Sequence, residues 1–138
     1  MTRQVLVVQA GGRLYALPSE TVREITAMPV TTRLPGTSAD VRGLANVRGH
    51  LVTVLDLAHR VTGNPSEAPD PDVVILAAEG KTLGVLVDEV REVIPADEFA
   101  DGPATTAGGA RIISGMGHFG ESVVLLVDVQ ELVRQSLA

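Results

Sequence analysis

Apolar residues in this chain come in short runs, each closed by glycine, proline or aspartate, and the runs are too brief and too β-branched for long helices. Residues 5–10 and 13–17 flank Gly11-Gly12, and residues 73–78 and 81–87 flank Glu79-Gly80. Apolar runs of this length around a pair that tolerates positive φ predict two β-hairpins. A turn follows each hairpin, at residues 18–21 and 88–89, and strand character resumes over 22–30 and 90–94. Residues 19–26 also fit a helix, but Pro29 and the β-branched content disfavour anything longer.

Two further apolar runs, 51–55 and 123–127, read as strands buried on both faces. Each ends at an aspartate, Asp56 or Asp128, placed where an N-cap stands, and Asp128 with Glu131 has capping-box spacing. A short helix is expected after each, the first stopped by Gly63 and Pro65. Residues 95–109, rich in Ala, Gly, Asp and Thr, read as an exposed loop.

The pattern repeats. At a constant shift of 68 residues, Val5 falls on Val73, Gly12 on Gly80, Leu17 on Val85, and Val22, Arg23, Glu24 and Ile25 on Val90, Arg91, Glu92 and Val93. After four inserted residues the shift becomes 72, which brings Gly43 onto Gly115, and Leu51, Val54, Leu55 and Asp56 onto Val123, Leu126, Val127 and Asp128. Residues 1–62 and 72–138 thus form two copies of one unit within a single domain, joined by a proline-rich polar linker, 63–71, that marks the boundary between them. Two copies make a duplicated subdomain, whereas a solenoid needs three or more.

Composition narrows the function. With 138 residues, 45% hydrophobic and 20% charged, the chain has the size and apolar content of one small folded domain. It has no cysteine, which excludes disulfides and thiol chemistry. The net charge is −6, the arginines are scattered, and the aromatics are only Tyr15, Phe99 and Phe119, so nucleic-acid binding is disfavoured. The first apolar run, 5–8, is too short for a signal-peptide core or a membrane span, which points to a soluble cytoplasmic protein with no membrane insertion.

Catalytic sets are hard to assemble. His50, His59 and His118 lack metal-site spacing, and the glycine pairs lack a P-loop ending, so no cofactor is expected. Asp56 with His50 or His59 is the one pairing that suggests a small hydrolase, and capping explains Asp56 without it.

Residues 34–57 carry the remaining signal. A Leu34-Pro35 pair leads through Gly43, Asn46, Arg48 and Gly49 to a hydrophobic run ending in Asp56-Leu57, and this resembles the signature of the CheW-like domain family. The resemblance extends to residues 22–25, 86–90 and 126–129. It implies an all-β fold with short helices, made of two SH3-like, five-stranded barrels, which agrees with the duplicated strand units. It also implies a non-catalytic adaptor that couples the cytoplasmic tip of methyl-accepting chemotaxis receptors to the regulatory domain of a CheA-type histidine kinase. Other CheW-like domains are further expected partners, and recruitment to membrane-associated receptor arrays is expected. The same fold would also serve a pathway other than chemotaxis, in pilus motility, development or another regulatory kinase system. By the resemblance, a receptor helix would lie between the subdomains against Val22, Ile25, Val41, Asn46, Arg48 and Val90, with Gly49 beside Arg48 freeing the turn, and the kinase would meet a barrel end. Arg48 and Gly49 give way to Gly120 and Glu121 in the second copy, so recognition is expected to centre on the first.

Overall fold

A computed structural model describes residues 3–96, 99–107 and 110–137. The chain is mostly strand. The first hairpin is β1 (Gln4–Ala10) and β2 (Arg13–Pro18), closed at Gly11 and Gly12 with φ of 58° and 80°. A single 3-10 turn at Ser19–Thr21 leads into β3 (Val22–Ala27), so the helical alternative for residues 19–26 contracts to that one turn. Next come β4 (Thr31–Thr32), β5 (Val41–Val47), β6 (His50–Asp56) and helix α1 (Leu57–Thr62). The second half repeats the order with β7 (Asp72–Ala78), β8 (Lys81–Val87), β9 (Glu89–Pro95), β10 (Ala100–Ala107), β11 (Ala110–Phe119), β12 (Ser122–Val127) and helix α2 (Val129–Ser136).

The strands form two six-stranded sheets, ordered β10-β11-β12-β2-β1-β9 and β3-β7-β8-β6-β5-β4. Each has one strand more than the five expected, since β10 and β4 extend the sheets at one edge. Neither sheet is built from one copy. The β1–β2 hairpin joins the strands that follow the linker, and the β7–β8 hairpin joins those that precede it. The joints match in detail: Leu126↔Ala16 in the parallel β12–β2 pair and Val54↔Gly84 in the β6–β8 pair are one contact displaced by the repeat. The linker therefore separates the copies in sequence but does not separate the sheets, because paired backbone edges override chain proximity.

Residues 100–107, read above as loop, are a strand: β10 pairs antiparallel with β11 through Ala100↔Met116, Asp101↔Gly115 and Thr105↔Ile113. An edge strand is held by backbone hydrogen bonds and does not need the apolar alternation that was missing. The parts of that stretch at 97–98 and 108–109 lie outside the described residues.

Three apolar clusters hold the sheets. The largest is central and draws on both copies, with Leu6, Val8, Tyr15 and Leu17 from the first hairpin, Val74, Leu76, Leu83 and Val85 from the second, and Leu57 and Leu132 from the helices. A smaller cluster lines the other face of each sheet: Ala45, Val52, Val54, Val73, Ile75 and Leu86 in one, Val5, Ala16, Ala96, Val124 and Leu126 in the other. The hairpin strands contribute to both faces, which is why they read as unbroken apolar runs.

Candidate partner-binding surface

The β5–β6 hairpin turns on two residues, Arg48 and Gly49, with φ of 52° and 82°. Two successive positive φ values make the tight turn that matches strand twist. Arg48 itself takes the left-handed conformation, and Asn46 stays in β5 while its Oδ1 accepts the Gly49 N–H at 2.9 Å. That conformation costs a non-glycine residue about 1 kcal/mol. The Arg48 side chain is 79% exposed, and its Nε donates to Glu24 Oε2 of β3 at 2.8 Å. This hydrogen bond, together with the charge of Glu24, raises the guanidinium pKa above its usual value.

The other expected contact residues divide by face. Val22 and Ile25 stand opposite Leu76 and Val74 of β7, and Val90 stands opposite Val8 of β1, all on the side of the central cluster. Val22 and Val90 pack partly against that cluster. Ile25, further along β3, is 45% exposed. Val41 is only 3% exposed and sits within the cluster, so it supports the surface from beneath and cannot line a groove. Glu24 pairs with Ile75 on the opposite face of β3, so the Arg48 bridge and Ile25 belong to different faces. Two surfaces result: an apolar edge on β3 and β9, and the end of the β5–β6 hairpin.

Residue-by-residue reading missed part of both surfaces. Val93, the repeat partner of Ile25, is exposed, as are Leu51 beside the Arg48 turn and its counterpart Val123. The offsets of 68 and 72 would have pointed to each as one of a pair.

The aspartates hold the scaffold under the hairpin. Asp128 Oδ1 accepts the Glu131 N–H at 3.1 Å, capping α2. Asp56 caps α1 through the His59 N–H at 3.2 Å, but its carboxylate is completely buried and also accepts from Arg42 Nη2 at 3.0 Å and from the Ser66 N–H at 2.9 Å. A carboxylate so enclosed cannot reach a substrate, and His59 offers it only a backbone N–H, which leaves the hydrolase reading without a site. Among the described residues no group of three or more His, Asp or Glu is placed to hold a metal ion, and no helix is long and apolar enough to cross a membrane.

Comparison with known proteins fits this geometry. The chemotaxis protein CheW of Klebsiella aerogenes is 29% identical over 140 residues, covering 95% of this chain and 81% of the relative. Protein PilI of Pseudomonas aeruginosa is 33% identical over 94 residues, 66% of this chain and 53% of the relative. The scaffolding protein TtCheW of Thermoanaerobacter tengcongensis superposes with a TM-score of 0.82 at 25% identity, over 92% of this chain and 89% of that one. The family profile described as the CheW-like domain matches residues 4–137, and the chain belongs to that family.

Proposed function

We propose that this chain is a non-catalytic cytoplasmic adaptor that couples the tips of methyl-accepting chemoreceptors to the regulatory domain of a CheA-type histidine kinase. Its membership of a family with scaffold members supports the reading. The observation that carries it is Arg48. A glycine would hold a φ of 52° at less cost, and an ion pair as exposed as that with Glu24 returns little. A strained, solvent-facing arginine at a hairpin end is accounted for by a partner's carboxylate or backbone carbonyl, which its planar fork suits.

In this reading residues 1–138 work as one domain of two copies, 1–62 and 72–138. A receptor helix packs its apolar stripe along Val22, Ile25 and Val90, and the separate hairpin end, with Asn46, Arg48 and Gly49, presents a polar contact to the kinase. The test is co-sedimentation with receptor-bearing membranes and a CheA-type kinase. A ternary complex that Arg48→Glu weakens, with unchanged circular dichroism, is expected. No complex, or one indifferent to Arg48→Glu, overturns the reading.

The likeness to Protein PilI, which does not carry the chemotaxis name, favours a second reading in which the same adaptor serves another kinase pathway. The genes adjacent to this one decide between them.

A further inference from the structure

The two small clusters are filled differently. In the sheet that holds β10, β11 and β12, Phe119 and Leu14, joined by Phe99, pack onto Val5, Ala16, Val124 and Leu126. The Phe99 ring lies so close to the backbone of β11 that a Cβ on Gly117 would fall 2.2 Å from it. At the repeat-related positions of the other sheet stand Val47 for Phe119 and Thr82 for Leu14. The smaller side chains leave a cavity of about 470 Å³, floored by Val52 and Ile75 and open beside the Arg48 turn.

Its rim is distinctive. Arg23, Arg48 and His50 surround the opening, and Leu51, 72% exposed, lies beside them. Arg48 is matched by Glu24, but Arg23 donates only to the Glu20 carbonyl and forms no ion pair among the described residues. A net cationic rim on a chain of net charge −6 favours an anionic neighbour.

The geometry points to a socket for an aromatic side chain of a partner protein, presented next to a carboxylate. The ring takes the space that Phe119 and Leu14 fill in the sister sheet, the carboxylate meets Arg23, and the exposed Leu51 extends the apolar contact beyond what a small molecule covers. The inference deepens the adaptor reading and rests on it for calling the occupant a protein. The titration below reports on the socket alone, so its failure beside an intact ternary complex would sink only the socket.

The test is a titration of the ¹⁵N-labelled full chain with acetyl-Ser-Phe-Glu-Ser-amide, its Phe→Ala analogue and 3-phenylpropionate. Expected are saturable amide shifts at Val47, Val52, Ile75 and Thr82 with the Phe peptide, weaker by about tenfold or more with the Ala analogue and with the free acid. The double variant Val47→Phe/Thr82→Leu fills the socket with the sister sheet's own residues, so it should lose these shifts while melting at a higher temperature. Arg23→Glu, a surface change, should reverse the preference from Phe-Glu to Phe-Lys peptides. Shifts elsewhere, shifts that survive the double variant, an unaltered preference in Arg23→Glu, or equal binding of 3-phenylpropionate would each overturn the proposal.

Discussion

Asp56 and Asp128 end equivalent strands and cap equivalent helices, yet Asp56 alone is closed off from solvent, with Arg42 Nη2 at 3.0 Å and the linker's Ser66 N–H at 2.9 Å. One carboxylate satisfies a helix, a neighbouring strand and the linker. The Asp56→Ala change would strand those donors and leave Arg42 without its counter-charge. It is expected to cost roughly 3 kcal/mol, against about 1 kcal/mol for Asp128→Ala, which loses little more than a cap. Urea denaturation of the two variants measures the difference, and equal losses would contradict the assignment.

Arg48 separates stability from recognition. The Arg48→Gly change relieves the left-handed backbone and gives up only an exposed ion pair, so the denaturation midpoint should stay unchanged or rise slightly. Under the adaptor reading the same change weakens the ternary complex. Denaturation midpoint and co-sedimentation, measured together, would show the opposite signs; a destabilised Arg48→Gly protein would mean that Glu24 matters more to the fold than its exposure suggests.

Gly43 is held by its neighbour across the sheet. Its φ is 139°, and a Cβ there would fall 2.3 Å from the carbonyl oxygen of Thr32, a backbone atom with little freedom to move. Gly43→Ala should displace β4 from β5 and cost about 2–4 kcal/mol. Hydrogen exchange would report it as lost protection at the Thr31↔Ala45 and Thr32↔Leu44 pairs.

Tyr15 gives an optical handle, being the single tyrosine in a chain with no tryptophan. Burial in the central cluster raises its phenol above the ordinary value of 10.0, and Arg13 only partly opposes the shift. A pKa raised by folding stabilises the protein below the unfolded value and is lost as the pH climbs through the folded one. Absorbance at the phenolate band should therefore appear above pH 10.0 and coincide with loss of the far-ultraviolet dichroism of the sheets. A phenolate that forms near the ordinary value in a folded chain would contradict the burial.

Strand identity was readable from local pattern because both faces of the hairpins are buried, and a run such as Val73 to Leu76 has no other use for its side chains. The caps were readable too, since Asp56 and Asp128 act on residues three positions away. The exchange of hairpins left no trace in local pattern. Val54 meets Gly84, and Leu126 meets Ala16, through backbone edges that any apolar strand could offer. β10 escaped for a related reason: an edge strand is specified by what its neighbour leaves unpaired.

The candidate surface was partly legible. Motif spacing singled out Arg48, but the partners that define its setting, Glu24 on another strand and Asn46 beneath the turn, depend on how the sheet curls. The family resemblance grouped Val41 with Val22 and Ile25, although only burial separates a wall from its foundation. The open socket shows only when the copies are compared in space, where Val47 and Phe119 occupy one position with different volumes.

The crossed hairpins give the chain the connectivity of a swapped dimer whose two members have been tied together through residues 63–71. Two separate units of this kind, each lending its first hairpin to the other, would make the same pairings at both joints. The covalent tie makes the halves obligate companions while each sheet keeps its own side chains, so one mouth closes over Phe99 and Phe119 and the other stays open.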